Sequence, residues 1–218
     1  MSTFQEETTS QANIDLIVGE TYRKIFSEEL TNVIIEVLRK ERYTKMFKER
    51  TGEEPLKNSS GTVYRRKEDG MYFISVIKEE DICETIVQIG HEIGHAIGPI
   101  SRRSIESKDS DNYFLILLGE IEGYSLQNLW SNIIERHNIG NLGDRISKAN
   151  QKLLRFPLEN KSIAGTNYYA ALLVGLFEKN KPGKLFNFLN SKPYCNKVIY
   201  TIAKNLPAKY VPIGKPST

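Results

Sequence analysis

With 218 residues, 39% of them hydrophobic and 26% charged, the chain has a globular composition, which excludes disordered, collagen-like and low-complexity classes. Thirty Lys and Arg against 27 Asp and Glu leave a formal charge of +3, too mild a bias to imply a nucleic-acid partner. The longest apolar runs, Tyr113 to Leu118 and Tyr168 to Phe177, fall well short of the ~20 residues of a membrane-spanning helix. No membrane partner is expected. The opening residues lack the basic start and apolar stretch of a signal peptide, and Cys83 and Cys195 are too few for a disulfide framework. The expected address is therefore cytoplasmic, with reduced thiols; oligomeric state is not legible.

In chain order, residues 1–12 read as a loose polar start to a single domain spanning 13–205. Asn13 to Phe26 and Ser27 to Arg50 carry apolar residues at helical spacing. In the second stretch Leu30, Val33, Ile34, Val37 and Leu38 form the stripe of a surface helix. Thr51-Gly52 ends it, so 13–60 is expected to be helical. From 61 to 78 aromatic and β-branched arms flank Glu68-Asp69-Gly70, a β-hairpin signal. Helices are expected at Asp81–Gly98, Asp111–His137, Asp144–Leu154 and Thr166–Lys179, then at Lys184–Leu189 or Lys197–Asn205. Leu206 to Thr218, with three prolines, reads as an extended tail. The expected class is α+β and mostly helical, a small antiparallel sheet packed on two central helices.

Chemistry concentrates at His91-Glu92-Ile93-Gly94-His95, which takes two of the three histidines in the chain. On a helix, imidazoles at i and i+4 stack one above the other and reach the same metal ion. Asp81 and Glu84 have capping-box spacing and Gly98-Pro99 supplies a stop, so the helical context is set. Ile82, Ile86, Ile89, Ile93 and Ile97 cluster within about 80° on the helical wheel, opposite the histidines. A catalytic zinc site needs a third protein ligand. His137 is one possibility; Glu120 and Glu122 in the next helix are better, and they face nearly opposite ways. Glu122 shares its side with Leu115, Leu118, Leu126, Leu129 and Ile133, whereas Glu120 sits among Tyr124, Gln127, Ser131 and Glu135. A carboxylate on an apolar stripe is costly without a cation, so Glu122 is the expected metal ligand. A buried ion pair is the competing explanation. Gly90 and Gly94 on one helix, with Gly119 and Gly123 on the other, would let the two backbones approach closely.

Over Asp81 to Ile133 the chain resembles the gluzincins, zinc metallopeptidases whose HExxH helix is followed by a helix bearing a glutamate ligand. Ile121-Glu122-Gly123-Tyr124-Ser125 looks like the Asn-Glu-Gly-Phe-Ala element of the aminopeptidase-type branch. Other zincin patterns fit less well. The third metzincin histidine is replaced by Ser101, no methionine follows the motif, and Tyr169 stands where an aspzincin carries Asp. The exopeptidase loop Gly-x-Met-Glu-Asn is absent.

The resemblance implies a zincin-like fold and one Zn2+ held by His91, His95 and Glu122. Glu92 would be the general base of peptide hydrolysis, and peptides or proteins the substrates. It also implies pairing of an extended peptide along the strand Met71–Ile77. Tyr169 is the candidate oxyanion donor, with Tyr168 and His137 as alternatives. Two other readings stand beside this one: a catalytically inactive zincin-like binding protein, and a nucleic-acid binder using Arg65-Arg66-Lys67 and Arg102-Arg103. The Pro-rich tail would, in a latent enzyme, occupy the cleft.

Overall fold

The computed structural model describes residues 11–55, 59–106, 113–160 and 165–191. Cys195, the expected helix Lys197–Asn205 and the Pro-rich tail lie outside the described residues, as do the first ten. Among the described residues the protein is α+β and mostly helical, with one three-stranded sheet. No helix among them is long and apolar enough to cross a membrane.

Helix α1 (Gln11–Phe26) opens the fold and takes in Gln11 and Ala12, expected to be loose. The next element corrects the sequence reading. Ser27 and Asn32 both have positive φ, and the stripe expected to be helical is strand β1 (Val33–Leu38) followed by helix α2 (Lys40–Thr51). Val33, Ile34, Ile35 and Val37 are β-branched, and such side chains lose little on a pleated surface. The parallel partner that makes a strand worthwhile lies almost forty residues downstream, out of reach of local periodicity.

Strands β2 (Gly61–Arg65) and β3 (Tyr72–Ile77) form the expected hairpin. Its turn is closed by Asp69 accepting from the Met71 N–H, with Gly70 at φ +71°. β3 is the central strand, parallel to β1 in the register Val33 to Tyr72 through Leu38 to Ile77 and antiparallel to β2. All six β3 residues are buried. The sheet is therefore mixed rather than antiparallel, and β3 is not an edge. Gln11 reaches across the open side of β1, donating to Ile35 O and accepting from Val37 N. In β2 the ladder bonds fall on even-numbered residues, bracketed by Ile77 N to Ser60 O and Arg66 N to Met71 O. The backbone groups of Gly61, Val63 and Arg65 consequently face outward.

Helix α3 (Ile82–Ile97) begins at Asp81, whose carboxylate accepts from Cys83 N, and ends at Gly98. Glu84 does not complete a capping box; its carboxylate pairs with Lys152. Ile82, Ile86, Ile89 and Ile93 are buried as the wheel requires. The expected stop at Gly98-Pro99 is instead a corner into a short helix α4 (Pro99–Glu106). Proline suits a first helical position because it has no N–H to leave unpaired. Helix α5 (Tyr113–His137) is the longest element and packs most extensively on α3. A 3-10 turn at Ile139–Asn141, then α6 (Gly143–Glu159), α7 (Gly165–Phe177) and α8 (Lys184–Ser191) complete the described chain.

Two large apolar clusters hold these pieces together, and a small one joins Leu38 and Ile77 of the sheet to Tyr43 of α2. One large cluster joins α1, β3, α3 and the Leu126, Trp130 and Ile134 stretch of α5; the other gathers Leu118 and Ile121 of α5 with α4, α7 and α8. The α3 to α5 contact passes between them. There Gly94 lies so close to Gly123 that a Cβ on Gly94 would stand 2.8 Å from its Cα. Of the four glycines expected to bring the two helices together, Gly94 and Gly123 meet at this point, Gly90 makes room for Trp130 of α5, and Gly119 faces Ser101 of α4 instead.

Candidate metal centre and cleft

His91 and His95 lie one turn apart on α3, and both turn Nε2 toward α5, with the two nitrogens 3.1 Å apart. The acid that meets them is Glu120. Its Oε2 is 3.5 Å from His91 Nε2 and 3.9 Å from His95 Nε2. Three potential ligand atoms thus converge among the described residues. A point about 2.1 Å from each exists, which is the bond length of a first-row divalent ion to nitrogen or carboxylate oxygen. Glu120 Oε2 is buried and, among the described residues, makes no hydrogen bond of good geometry; its nearest donors are the two imidazole nitrogens. A buried carboxylate oxygen whose donors stand that far off is poorly satisfied, and a metal ion placed among the three atoms would satisfy it. The residues fit a metal ion of this kind.

Glu122, the ligand expected from the helical wheel, is fully buried but turned away from the imidazoles. Its Oε1 accepts from Ile100 N at 3.1 Å, and its Oε2 from Ser101 N and Ser101 Oγ, both at 2.8 Å. It caps the first turn of α4. The apolar stripe did demand a partner for this acid, and that partner is the set of unpaired N–H groups at a helix start rather than a metal or a cation. Gly98 is required for the approach, since a Cβ there would stand 2.2 Å from Glu122 Oε2.

Glu92 is buried beside the pair, and its Oε1 accepts from Gln88 Nε2 at 3.0 Å. Gly61 at the head of β2 packs on this carboxylate, leaving no room for a Cβ. Burial pushes the Glu92 carboxyl up to about 7, against the pull of His91 and Gln88. Burial brings His95 down to about 4. In His91 burial also opposes the charged form, but the neighbouring Glu120 carboxylate outweighs it and raises the pKa. Burial likewise works against ionised Glu120, and the two imidazoles still hold it below its usual range.

These groups stand on an open cleft of about 930 Å³. One wall is β2, at Gly61, Thr62 and Val63; the opposite wall includes Leu115, Tyr124 and Phe156. Tyr124 follows Glu120 by one turn of α5. Its ring meets His91 edge to face at 4.5 Å, and its hydroxyl donates to Asn167 Oδ1 at 3.4 Å. Burial raises its pKa, so the phenol stays protonated and a donor.

Tyr169, the expected oxyanion donor, is not brought to the cleft. It packs with Tyr168 against the α5 and α7 cluster. His137 is exposed at the far end of α5, about 25 Å from Glu120 along the helix axis. Tyr124 and Ser101 are the site residues that sequence reasoning missed. The signal for Tyr124 was its place beside Glu120 on the polar side of α5, and for Ser101 its position six residues after His95.

Comparison with protein-family models, curated proteins and solved structures found no significant match.

Proposed function

We propose that the protein is a zinc-dependent metallopeptidase of HExxH type, with the metal held by His91, His95 and Glu120. The observation that carries this reading is the convergence of the three donor atoms, one a poorly satisfied buried carboxylate oxygen, beside Glu92 on an open cleft. Two histidines and one carboxylate form a common three-ligand set of catalytic zinc, and imidazole nitrogen suits zinc well. When bound, zinc acidifies a coordinated water and polarises the scissile carbonyl. Glu92 takes the proton of the attacking water and returns it to the leaving amine; as the residue next to His91 it flanks the metal position rather than ligating it. Tyr124, kept protonated by burial, turns its hydroxyl from the long contact with Asn167 to donate to the developing oxyanion. The outward backbone groups of β2 at Val63, on the cleft wall, replace β3 as the edge along which an extended peptide pairs. The gluzincin resemblance is retained in the order of helices, with the ligand two residues earlier than the quoted element implied.

The test is metal content with peptide hydrolysis. Wild type is expected to retain close to one zinc through chelator-free dialysis. Glu120→Ala is expected to lose it, and Glu92→Gln to keep it while peptide cleavage falls by at least 100-fold. Retained zinc with no cleavage of a mixed peptide library would instead assign a non-catalytic zincin-like binding protein. A folded wild type that takes up no zinc would overturn the site itself.

A further inference from the structure

Ser101 Oγ lies 3.2 Å from His95 Nδ1 and 2.8 Å from Glu122 Oε2; the Gly119 carbonyl is a more distant acceptor at 3.4 Å. A hydroxyl has one proton to give and lone pairs to receive. A carboxylate only accepts, and both Glu122 oxygens already take backbone N–H groups from the start of α4. The Ser101 proton therefore goes to Glu122 Oε2, and the Ser101 oxygen is left to accept from the imidazole. We infer that Glu122 and Ser101 form a positioning relay that fixes His95 in its Nδ1–H form and leaves its Nε2 bare toward His91 and Glu120.

The chain of donation runs His95 Nδ1–H to Ser101 Oγ, then Ser101 O–H to Glu122 Oε2. It places in one line a residue on α3, one on α4 and one on α5, the three elements that must keep their relative positions for the donor atoms to converge. It gives the acid on the apolar stripe a second role beyond capping α4, since the same oxygen that holds Ser101 N also sets the direction of the Ser101 hydroxyl. His91 lacks an equivalent: among the described residues its Nδ1 makes no hydrogen bond of good geometry, and the neighbouring polar side chain is Gln127 rather than a serine held by a carboxylate. The relay is thus specific to one of the two imidazoles. Neither Ser101 nor Glu122 touches the reacting atoms; both act through His95.

The value of the relay to catalysis rests on the proposed zinc site, but the tautomer of His95 does not, and it is read on metal-free protein. In ¹⁵N-labelled wild type stripped of metal, long-range ¹H–¹⁵N spectra are expected to show His95 with a protonated Nδ1 and a bare Nε2. Ser101→Ala keeps the backbone N–H that Glu122 caps, so it is expected to fold. In that variant the His95 pattern should become a mixture of tautomers while the His91 pattern is unchanged, and zinc affinity in chelator competition should fall about 10-fold, the usual effect of losing an outer partner of a ligating histidine. A wild-type His95 protonated at Nε2 would overturn the relay, as would a Ser101→Ala variant with unchanged tautomer and unchanged zinc affinity. A wild type with the expected tautomer that binds no zinc would sink the metallopeptidase reading and leave the relay standing.

Discussion

A single hydrogen in place of a methyl decides whether the donor atoms can meet. A Cβ on Gly123 would lie 2.8 Å from His91 Cε1 and 3.0 Å from His95 Nε2, separations that force both rings to move. Those rings sit in a buried contact between two helices with little slack. Gly123→Ala adds no polar group and improves helix propensity, so its expected signature is selective: near-native circular dichroism with zinc retention after dialysis reduced at least tenfold. Unchanged zinc content in this variant would show that the imidazoles do not hold the positions described. At the same scale, the helical wheel separated Glu120 from Glu122 and favoured the one that the structure turns away from the imidazoles. It treated the polar side of α5 as the solvent side. A polar site that faces inward carries the pattern of an exposed face, as Glu120, Tyr124 and Gln127 do where they line the cleft. Glu122 was rightly placed among leucines, but the helix start it caps belongs to α4, which was read as a stop.

Between elements, α3 and α5 are joined by two glycine contacts with different consequences. Gly94 meets Gly123 beside the donor atoms, whereas Gly90 meets the ring of Trp130, within 2.7 Å of where its Cβ would stand. Trp130 is fully buried in the cluster under the sheet. Gly90→Ala is therefore expected to strain the core without touching the ligands, costing about 1–3 kcal/mol by overpacking. Thermal unfolding should show it as a drop of roughly 2–4 °C per kcal/mol for a chain of this size. Zinc stoichiometry should stay at the wild-type level; loss of metal in this variant would mean that the two contacts are not separable. The elements that local sequence conveyed were those whose partners are near in the chain: the β2–β3 hairpin, the capped start of α3, and the long helix α5. β1 was lost because its stabilising partner, β3, follows α2 and β2. α4 was lost because Gly-Pro serves equally as an end and as a first helical turn when a remote carboxylate supplies the cap.

For the whole molecule, the converging donor atoms bridge α3, which belongs to the first large apolar cluster, and α5, which contributes to both. A metal bound there ties the halves of the fold together, and the unfolded chain has no comparable site because the third ligand lies 25 residues beyond His95. Binding to the folded state alone stabilises it by mass action. At zinc concentrations 100 times the dissociation constant the gain is about 2.7 kcal/mol. For a chain of this size that corresponds to a rise of roughly 5–11 °C in Tm. The rise should grow with the logarithm of free zinc, be reversed by chelator, and vanish in Glu120→Ala, whose metal-free Tm serves as the reference. Without metal, wild type retains a buried carboxylate oxygen that makes no hydrogen bond of good geometry. Glu120→Ala removes that group together with its charge pairing to the imidazoles, two effects of opposite sign, so metal-free Glu120→Ala is expected to lie within about 1 kcal/mol of metal-free wild type. Were the variant instead markedly less stable without metal, Glu120 would be a structural partner of the imidazoles and not a ligand held in wait for an ion.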